Sequence, residues 1–296
     1  MQISHPLTGS MVALITPMYE NGDVDFDALE KLVNFHIESE TKAIVSVGTT
    51  GESATLNHDE HIEVMKKTIE YSNGRIPVIA GTGANSTSEA VELTQAAKDI
   101  NADACLLVTP YYNKPTQEGL YQHYKKIAES VEINQILYNV PGRTGVDMSV
   151  DTIVRLANIT NIIGVKDATG DLNVAKSLIE RCPENFILLS GDDGTAIDFI
   201  AMGGHGGISV TANVVPKLLS KAYEYAIRGN IDAAKEIDTS ITNLHNHLFI
   251  ESNPIPVKWA MHKMGYCESG IRLPLTLLSP EVQIIIQQDL ENQGLL

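Results

Sequence analysis

The sequence predicts an α/β fold: a (β/α)8 TIM barrel that carries a C-terminal helical appendage. Eight short apolar, β-branched runs recur along the chain, at roughly thirty-residue spacing. Between them lie stretches with apolar residues three and four apart, so strand and helix alternate. The runs are apolar almost throughout, which is the pattern of strands buried on both faces, as in a parallel sheet. A doubly wound open sheet is the competing arrangement, but no Gly-x-Gly-x-x-Gly follows the first run.

Taken in order, the first strand is MVALITP from Met11, followed by a helical stretch with Phe26, Leu29, Leu32, Val33 and Phe35 to Ile37 on its apolar positions. AIVSVGTT from Ala43 and PVIAGTG from Pro77 are the second and third strands, and Ala90, Leu93, Ala96 and Ala97 mark the helix after the third. ACLLVTPYY from Ala104, QILYNVP from Gln135 and IIGVKDA from Ile162 are the fourth to sixth. FILLSGDD from Phe186 and GGISVTAN from Gly206 close the set. After Asn213 the pattern is helix without strands, punctuated by Pro216, Pro254, Pro256, Pro274 and Pro280. The barrel is therefore expected over residues 1–229 and a helical region packed on it over 230–296.

The length suits one large domain or two ordinary ones, and a core of that size needs no disulfide or metal staple. Cys105, Cys182 and Cys267 are scattered, with no C-x-x-C pair, and read as reduced thiols of a cytosolic protein. The N-terminal MQISHPLTGSMVALITPM has no basic segment leading into a long apolar one. No apolar run reaches membrane-spanning length, so neither export nor a membrane partner is expected. The formal charge of −16 argues against a nucleic-acid partner, which would need clustered Lys and Arg. A small molecule is the expected partner, with a local positive site if it is an anion.

Lys166 is the most informative residue. It stands alone as a cation inside IIGVKDATG, at the end of a strand that reads as buried, and lysine is almost never buried without a partner or a task. Taking an ammonium out of water favours the free amine, which can attack a carbonyl and form a Schiff base. The plainer reading is a lysine snorkelling to solvent or paired with Asp167.

In a β/α barrel the residues closing each strand converge on one mouth. Here they are Gly48, Thr49, Thr50, Gly51 and Glu52 after the second strand, Tyr111 and Tyr112 after the fourth, and Tyr138 with Arg143 after the fifth. Lys166 closes the sixth, Ser190 and Gly191 the seventh, and Ile208 and Ser209 the eighth. Such a set suits carbonyl chemistry on a carboxylate-bearing substrate, with hydroxyls to relay protons and a guanidinium to hold a carboxylate. Taken singly, GTTGE is also a glycine turn, the tyrosines packing aromatics and Arg143 a solvated loop cation.

Together GTTGES (Gly48 to Ser53), VTPYYNKP (Val108 to Pro115), YNVPGRTG (Tyr138 to Gly145), GVKDATG (Gly164 to Gly170) and GGHGGISVTAN (Gly203 to Asn213) resemble the dihydrodipicolinate synthase family over the whole chain. That family belongs to the pyruvate-dependent class I aldolases, which share the lysine and the G-x-TGE and Y-N-x-P stretches. The Arg in YNVPGRTG separates it from the sialic-acid lyases and keto-deoxy-sugar aldolases. The resemblance implies a lyase without a cofactor or a metal, joining pyruvate to L-aspartate 4-semialdehyde on Lys166. It implies Tyr138 as general acid/base, Thr49 and Tyr112 as its proton relay, and Thr50 on the pyruvate carboxylate. Arg143 would hold the semialdehyde carboxylate, and Gly191 and the Ile208 carbonyl would line the pocket. It implies a cytoplasmic homotetramer of tight dimers, with Tyr111 at a subunit interface. The alternatives are another pyruvate-dependent aldolase of the N-acetylneuraminate lyase or 2-keto-3-deoxy-sugar type, and a barrel that binds a metabolite without reacting.

The resemblance also implies a regulatory L-lysine site at Ser53, Ala54, His58, His61, Gly83, Asn85, Glu89 and Tyr111. Read bare, His58 and His61 are three apart like a metal pair, but no third ligand follows at suitable spacing. Glu89 with Asn85 suits an ammonium, and His with Tyr a carboxylate. Two departures from the family pattern are Asp167, where Glu is common, and Gly142, where Ser often precedes the Arg. The first is expected to be tolerated because that side chain points away from the barrel centre; the second loosens the loop that carries Arg143.

Overall fold

All eight apolar runs form strands, and the strands close into one parallel barrel in sequence order. The computed structural model describes residues 7–296; the first six residues of the N-terminal stretch read above lie outside the described residues. The strands are β1 (Gly9–Ala13), β2 (Ile44–Ser46), β3 (Val78–Gly81), β4 (Ala104–Val108), β5 (Gln135–Asn139), β6 (Ile162–Asp167), β7 (Ile187–Ser190) and β8 (Gly206–Ser209). Closure runs through Met11 beside Ile208, between β1 and β8. The helices around the barrel are α1 (Phe26–Glu38), α2 (His58–Ser72), α3 (Thr87–Asp99), α4 (Gln117–Ser130), the short α5 (Pro141–Thr144), α6 (Val150–Leu156), α7 (Leu172–Arg181), α8 (Ala196–Ala201) and α9 (Pro216–Ile227). The tail adds α10 (Ile231–His247), α11 (Ile255–Lys263) and α12 (Pro280–Asn292).

The period-two alternation of a strand explains why nearly continuous apolar runs are needed. Met11, Val45, Ile79, Leu106, Ile136 and Leu189 fill the barrel interior. Their neighbours Val12, Ile44, Ala80, Leu107, Leu137 and Leu188 face the helices and belong to the larger outer core. Both faces are buried, so each of these Val, Leu, Ile and Met side chains is worth about 1.5–3 kcal/mol of apolar burial. A polar residue with inward parity is therefore conspicuous, and at the C-terminal end of β6 it is Lys166.

Helix starts are chemically marked. Asp25 Oδ1 accepts from the Ala28 amide to open α1. At α2 the Asn57 side chain accepts from the Glu60 amide while Glu60 accepts from the Asn57 amide, a reciprocal box worth about 1 kcal/mol. Pro216, Pro256 and Pro280 stand in the first turns of α9, α11 and α12, where the missing N–H has no helical partner to lose. Pro254 caps α11, and Pro274 lies in the irregular segment before α12. Gly229, at φ +80°, turns the chain from α9 into α10. The tail packs back on the barrel: α10 lies along α9 and α8, and α12 along α10 and α11. Among the described residues no helix is long and apolar enough to cross a membrane.

Candidate active site

Strand parity aims Tyr138, Lys166 and Ala168 to the same side, and register puts Tyr138 of β5 beside Lys166 of β6. The Lys166 Nζ lies 4.3 Å from the centroid of the Tyr138 ring. Lys166 is only 5% exposed. Both residues face a cavity of about 480 Å³ at the C-terminal mouth of the barrel, whose lining includes Thr49, Thr50, Arg143 and Gly191. Six of the residues expected at the reacting centre thus share one space. Gly191 is required for it: a Cβ there would lie 2.7 Å from Lys166 Cε and 2.8 Å from the Ala168 Cβ.

Asp167, one residue on, has the opposite parity. Its carboxylate accepts from Thr169 Oγ1 at 2.6 Å and from Asn139 Nδ2 at 3.4 Å, outside the barrel interior. Burial raises its pKa against the pull of those two hydrogen bonds. It does not pair with Lys166, so the snorkelling and ion-pair reading of Lys166 loses its partner.

The GTTGE segment is held in an unusual shape. Val47 has φ 55° and Glu52 φ 58°, left-handed values that are costly for side-chain-bearing residues, above all for a β-branched one. Gly81 on β3 makes room, because a Cβ there would stand 2.2 Å from the Val47 carbonyl oxygen. Thr16 Oγ1 donates to the Gly51 carbonyl at 2.7 Å, and Asn253 Nδ2 donates to Thr50 Oγ1 at 3.0 Å. The Thr50 hydroxyl hydrogen is thus free to face the cavity.

One expected member is placed elsewhere. Tyr112 does not line the cavity: it is 89% exposed and its φ is 74°. Ile208, whose carbonyl is expected at the pocket, has its side chain buried in the barrel interior cluster. Tyr111, the residue assigned to a subunit interface, turns instead toward a second cavity of about 250 Å³. Ser53, Ala54, His61, Gly83 and Glu89 share that second lining, whereas His58 and Asn85 do not. His58 is exposed at the start of α2, and the Asn85 carbonyl accepts from Asn113 Nδ2. Burial lowers the His61 pKa although its Nε2 sits 2.7 Å from the Gly81 carbonyl; burial and then the Glu89 charge raise that of Tyr111. Thr49, Val140 and Arg143 line both cavities. No group of three His, Cys, Asp or Glu among the described residues is placed to hold a metal ion.

The cavity also has a wall that the strand ends do not supply. His245, Asn246 and Phe249 of α10 and its C-terminal turn line it, together with Asn253, Asp192 and Asp193. Asp193 Oδ2 accepts from the amides of Val210 and Thr211 and from Thr211 Oγ1. His245 Nδ1 lies 2.9 Å from Thr211 Oγ1 and its Nε2 3.2 Å from Asp238. Burial pulls the His245 pKa down, but the Asp238 hydrogen bond and the Asp193 and Asp238 charges outweigh it, and the net shift is upward. Sequence reasoning missed these residues; the only local signal was a cluster of His and Asn in NLHNHLF, on a helix otherwise read as packing.

The chain matches the family model described as Dihydrodipicolinate synthetase family over residues 6–293. It is 67% identical over 296 residues, the whole of both chains, to 4-hydroxy-tetrahydrodipicolinate synthase from Ruthia magnifica subsp. Calyptogena magnifica. It is 58% identical to the protein of the same name from Pseudomonas aeruginosa, covering 98% of this chain and 99% of that one. Among solved structures, the chloride-inhibited dihydrodipicolinate synthase from Acinetobacter baumannii complexed with pyruvate superposes with a TM-score of 0.97 at 57% identity, covering 98% of this chain and 100% of that one. The enzyme from Cyanidioschyzon merolae with lysine bound gives 0.96 at 35% identity, covering 99% and 100%. With the family model spanning the barrel and the tail alike, and full-length relatives well above half identity, the chain belongs to the dihydrodipicolinate synthetase family, a family of lyases.

Proposed function

We propose that the protein is a 4-hydroxy-tetrahydrodipicolinate synthase, condensing pyruvate with L-aspartate 4-semialdehyde in lysine biosynthesis. The observation that carries the reading is the buried Lys166 Nζ, with no carboxylate partner, over the Tyr138 ring in a cavity that also holds Thr49, Thr50 and Arg143. The Lys166 amine attacks the ketone carbon of pyruvate, water leaves, and the resulting iminium acts as an electron sink. Loss of a methyl proton gives an enamine, whose carbon attacks the semialdehyde carbon. The substrate amine then closes the ring and displaces the lysine. Tyr138 moves the protons with Thr49, and Thr50 and Arg143 take the two carboxylates, the guanidinium by its planar fork.

The third relay member, Tyr112, is directed away from its own cavity, so within this reading it serves a second copy of the chain. That makes a dimer part of the site and favours the expected homotetramer of dimers. It also moves the interface role from Tyr111 to Tyr112. The second cavity suits an amino acid such as L-lysine, with Glu89 for an ammonium and Tyr111 for a carboxylate.

The test is intact mass after incubation with pyruvate and sodium borohydride. A mass gain equal to reduced pyruvate, mapped to Lys166 and absent from Lys166→Ala, is the expected result. No adduct on a folded sample overturns the reading. Turnover with aspartate semialdehyde, and none with sugar-derived aldehydes, fixes the partner. Activity unchanged at millimolar L-lysine removes the regulatory part alone.

A further inference from the structure

Three polar links run from the helical tail to the GTTGE segment, across more than two hundred residues of sequence. The most buried is an ion pair: Lys258 Nζ of α11 donates to Glu52 Oε1, with both side chains almost completely removed from solvent. Glu52 Oε2 accepts in addition from the Arg272 amide at 3.3 Å. Arg272 itself forks onto Glu60 at 2.7 and 2.8 Å and donates to the carbonyls of Thr55 and Gly22. Asn253, just before α11, donates to Thr50 Oγ1. No step of the proposed reaction uses Lys258, Glu52 or Arg272.

A buried pair of this kind is not needed for stability, since apolar replacements often serve as well. Its position says what else it does. Glu52 is the residue where the chain takes a left-handed turn directly after Thr49, Thr50 and Gly51. Such a conformation in a residue with a long side chain persists only where the surroundings over-determine it. Here they do so from both ends of the carboxylate. The fixed turn decides where the two threonines stand relative to Lys166.

We propose that Lys258 and Glu52 are positioning residues for the pyruvate carboxylate: their ion pair lets the helical tail set the loop that presents Thr49 and Thr50 to the Schiff-base lysine. The inference rests on the reading of Lys166 above and deepens it. It assigns the tail a part in substrate binding that its distance in sequence from the barrel strands does not disclose. Burial lowers the Lys258 pKa against the pull of Glu52, as expected for a charge kept only by its partner.

The test compares Lys258→Met, Glu52→Gln and the double variant Lys258→Met/Glu52→Gln with the parent protein, each as the whole chain in its native assembly. A loop displaced by a fraction of an ångström to an ångström is expected to raise KM for pyruvate about tenfold or more. KM for the aldehyde should stay within about threefold, because Arg143 is on a different loop. Borohydride trapping at saturating pyruvate should still label Lys166 fully, which separates this inference from the reading it rests on. If either single variant fails to fold, the double variant, which leaves no unpaired buried charge, carries the test. A folded double variant with KM for pyruvate within twofold of the parent overturns the proposal. An equal rise in both KM values overturns it too, since that marks a general loosening of the site.

Discussion

Gly191→Ala gives a direct reading of how tightly Lys166 is held. The added methyl would lie 2.7 Å from Lys166 Cε, 3.0 Å from its Cγ and 2.8 Å from the Ala168 Cβ. Ordinary contact begins near 3.4 Å, so the amine-bearing end must retreat by ~0.7 Å (3.4 − 2.7). The Tyr138 ring, 4.3 Å from its Nζ, restricts the directions in which Lys166 can move away. Overpacking of this kind costs about 1–3 kcal/mol of stability. A nucleophile displaced on that scale should lower kcat about 10- to 100-fold, or roughly 1.4–2.7 kcal/mol of barrier. The assay is steady-state turnover with both substrates, alongside borohydride trapping and thermal unfolding. Slowed trapping with a depressed Tm is the expected pair of results. A variant with parental kcat, trapping rate and Tm would refute the claim that the absence of a Cβ at this position gives Lys166 its room.

Three further outcomes are expected. Tyr112→Phe should leave the fold of the chain unchanged by circular dichroism, because the residue is 89% exposed in the isolated chain, yet lower kcat about 100-fold if its hydroxyl relays protons in a partner's cavity; parental kcat would exclude it from the relay. Burial holds the His36 imidazole down at about 3, against 6.5 when free, and His123 at about 4. Both folded values lie below the unfolded one, so the stability they contribute is complete above pH 6.5 and drains as pH falls toward the folded values. For His36 the full span of 3.5 units (6.5 − 3) amounts to about 5 kcal/mol, about 2 of it lost by pH 5, and a urea midpoint flat from pH 7 to 5 would contradict this. Gly81→Ala should be among the most damaging substitutions of its size, because its Cβ meets Val47 backbone at 2.2 Å and backbone cannot step aside as a side chain can; an unchanged Tm would show that the Val47 turn is not pinned by β3.

The barrel was legible because its strands are buried on both faces. A run such as ACLLV has little freedom to be anything else, and the run after Ile162 betrayed its lone cation, Lys166. The C-terminal rule then collected Thr49, Thr50, Tyr138, Arg143 and Gly191 without knowledge of any contact. Legibility stopped where strand parity stops. Tyr111 and Tyr112 follow β4 in a loop, where neither direction nor burial follows from spacing, and only the structure shows that Tyr111 lines the second cavity while Tyr112 is exposed. The Lys258 and Asn253 tethers were invisible for another reason. Their partners lie 206 and 203 residues away, and nothing in NPIPVKWA distinguishes a buried cation that locks a loop from one on a helix surface.

The wall shared by the two cavities has a thermodynamic consequence. Thr49 and Arg143 contribute to both linings, so any ligand of the second space that favours one arrangement of these side chains changes the free energy of filling the first. Linkage makes that coupling mutual: if a ligand in the second cavity weakens pyruvate binding by some factor, pyruvate weakens the ligand by the same factor. Under the proposed reading, the affinity of the second cavity would then report on substrate supply. If the coupling is negative, a protein filled with pyruvate would be less sensitive to that ligand than an empty one, with no further component required.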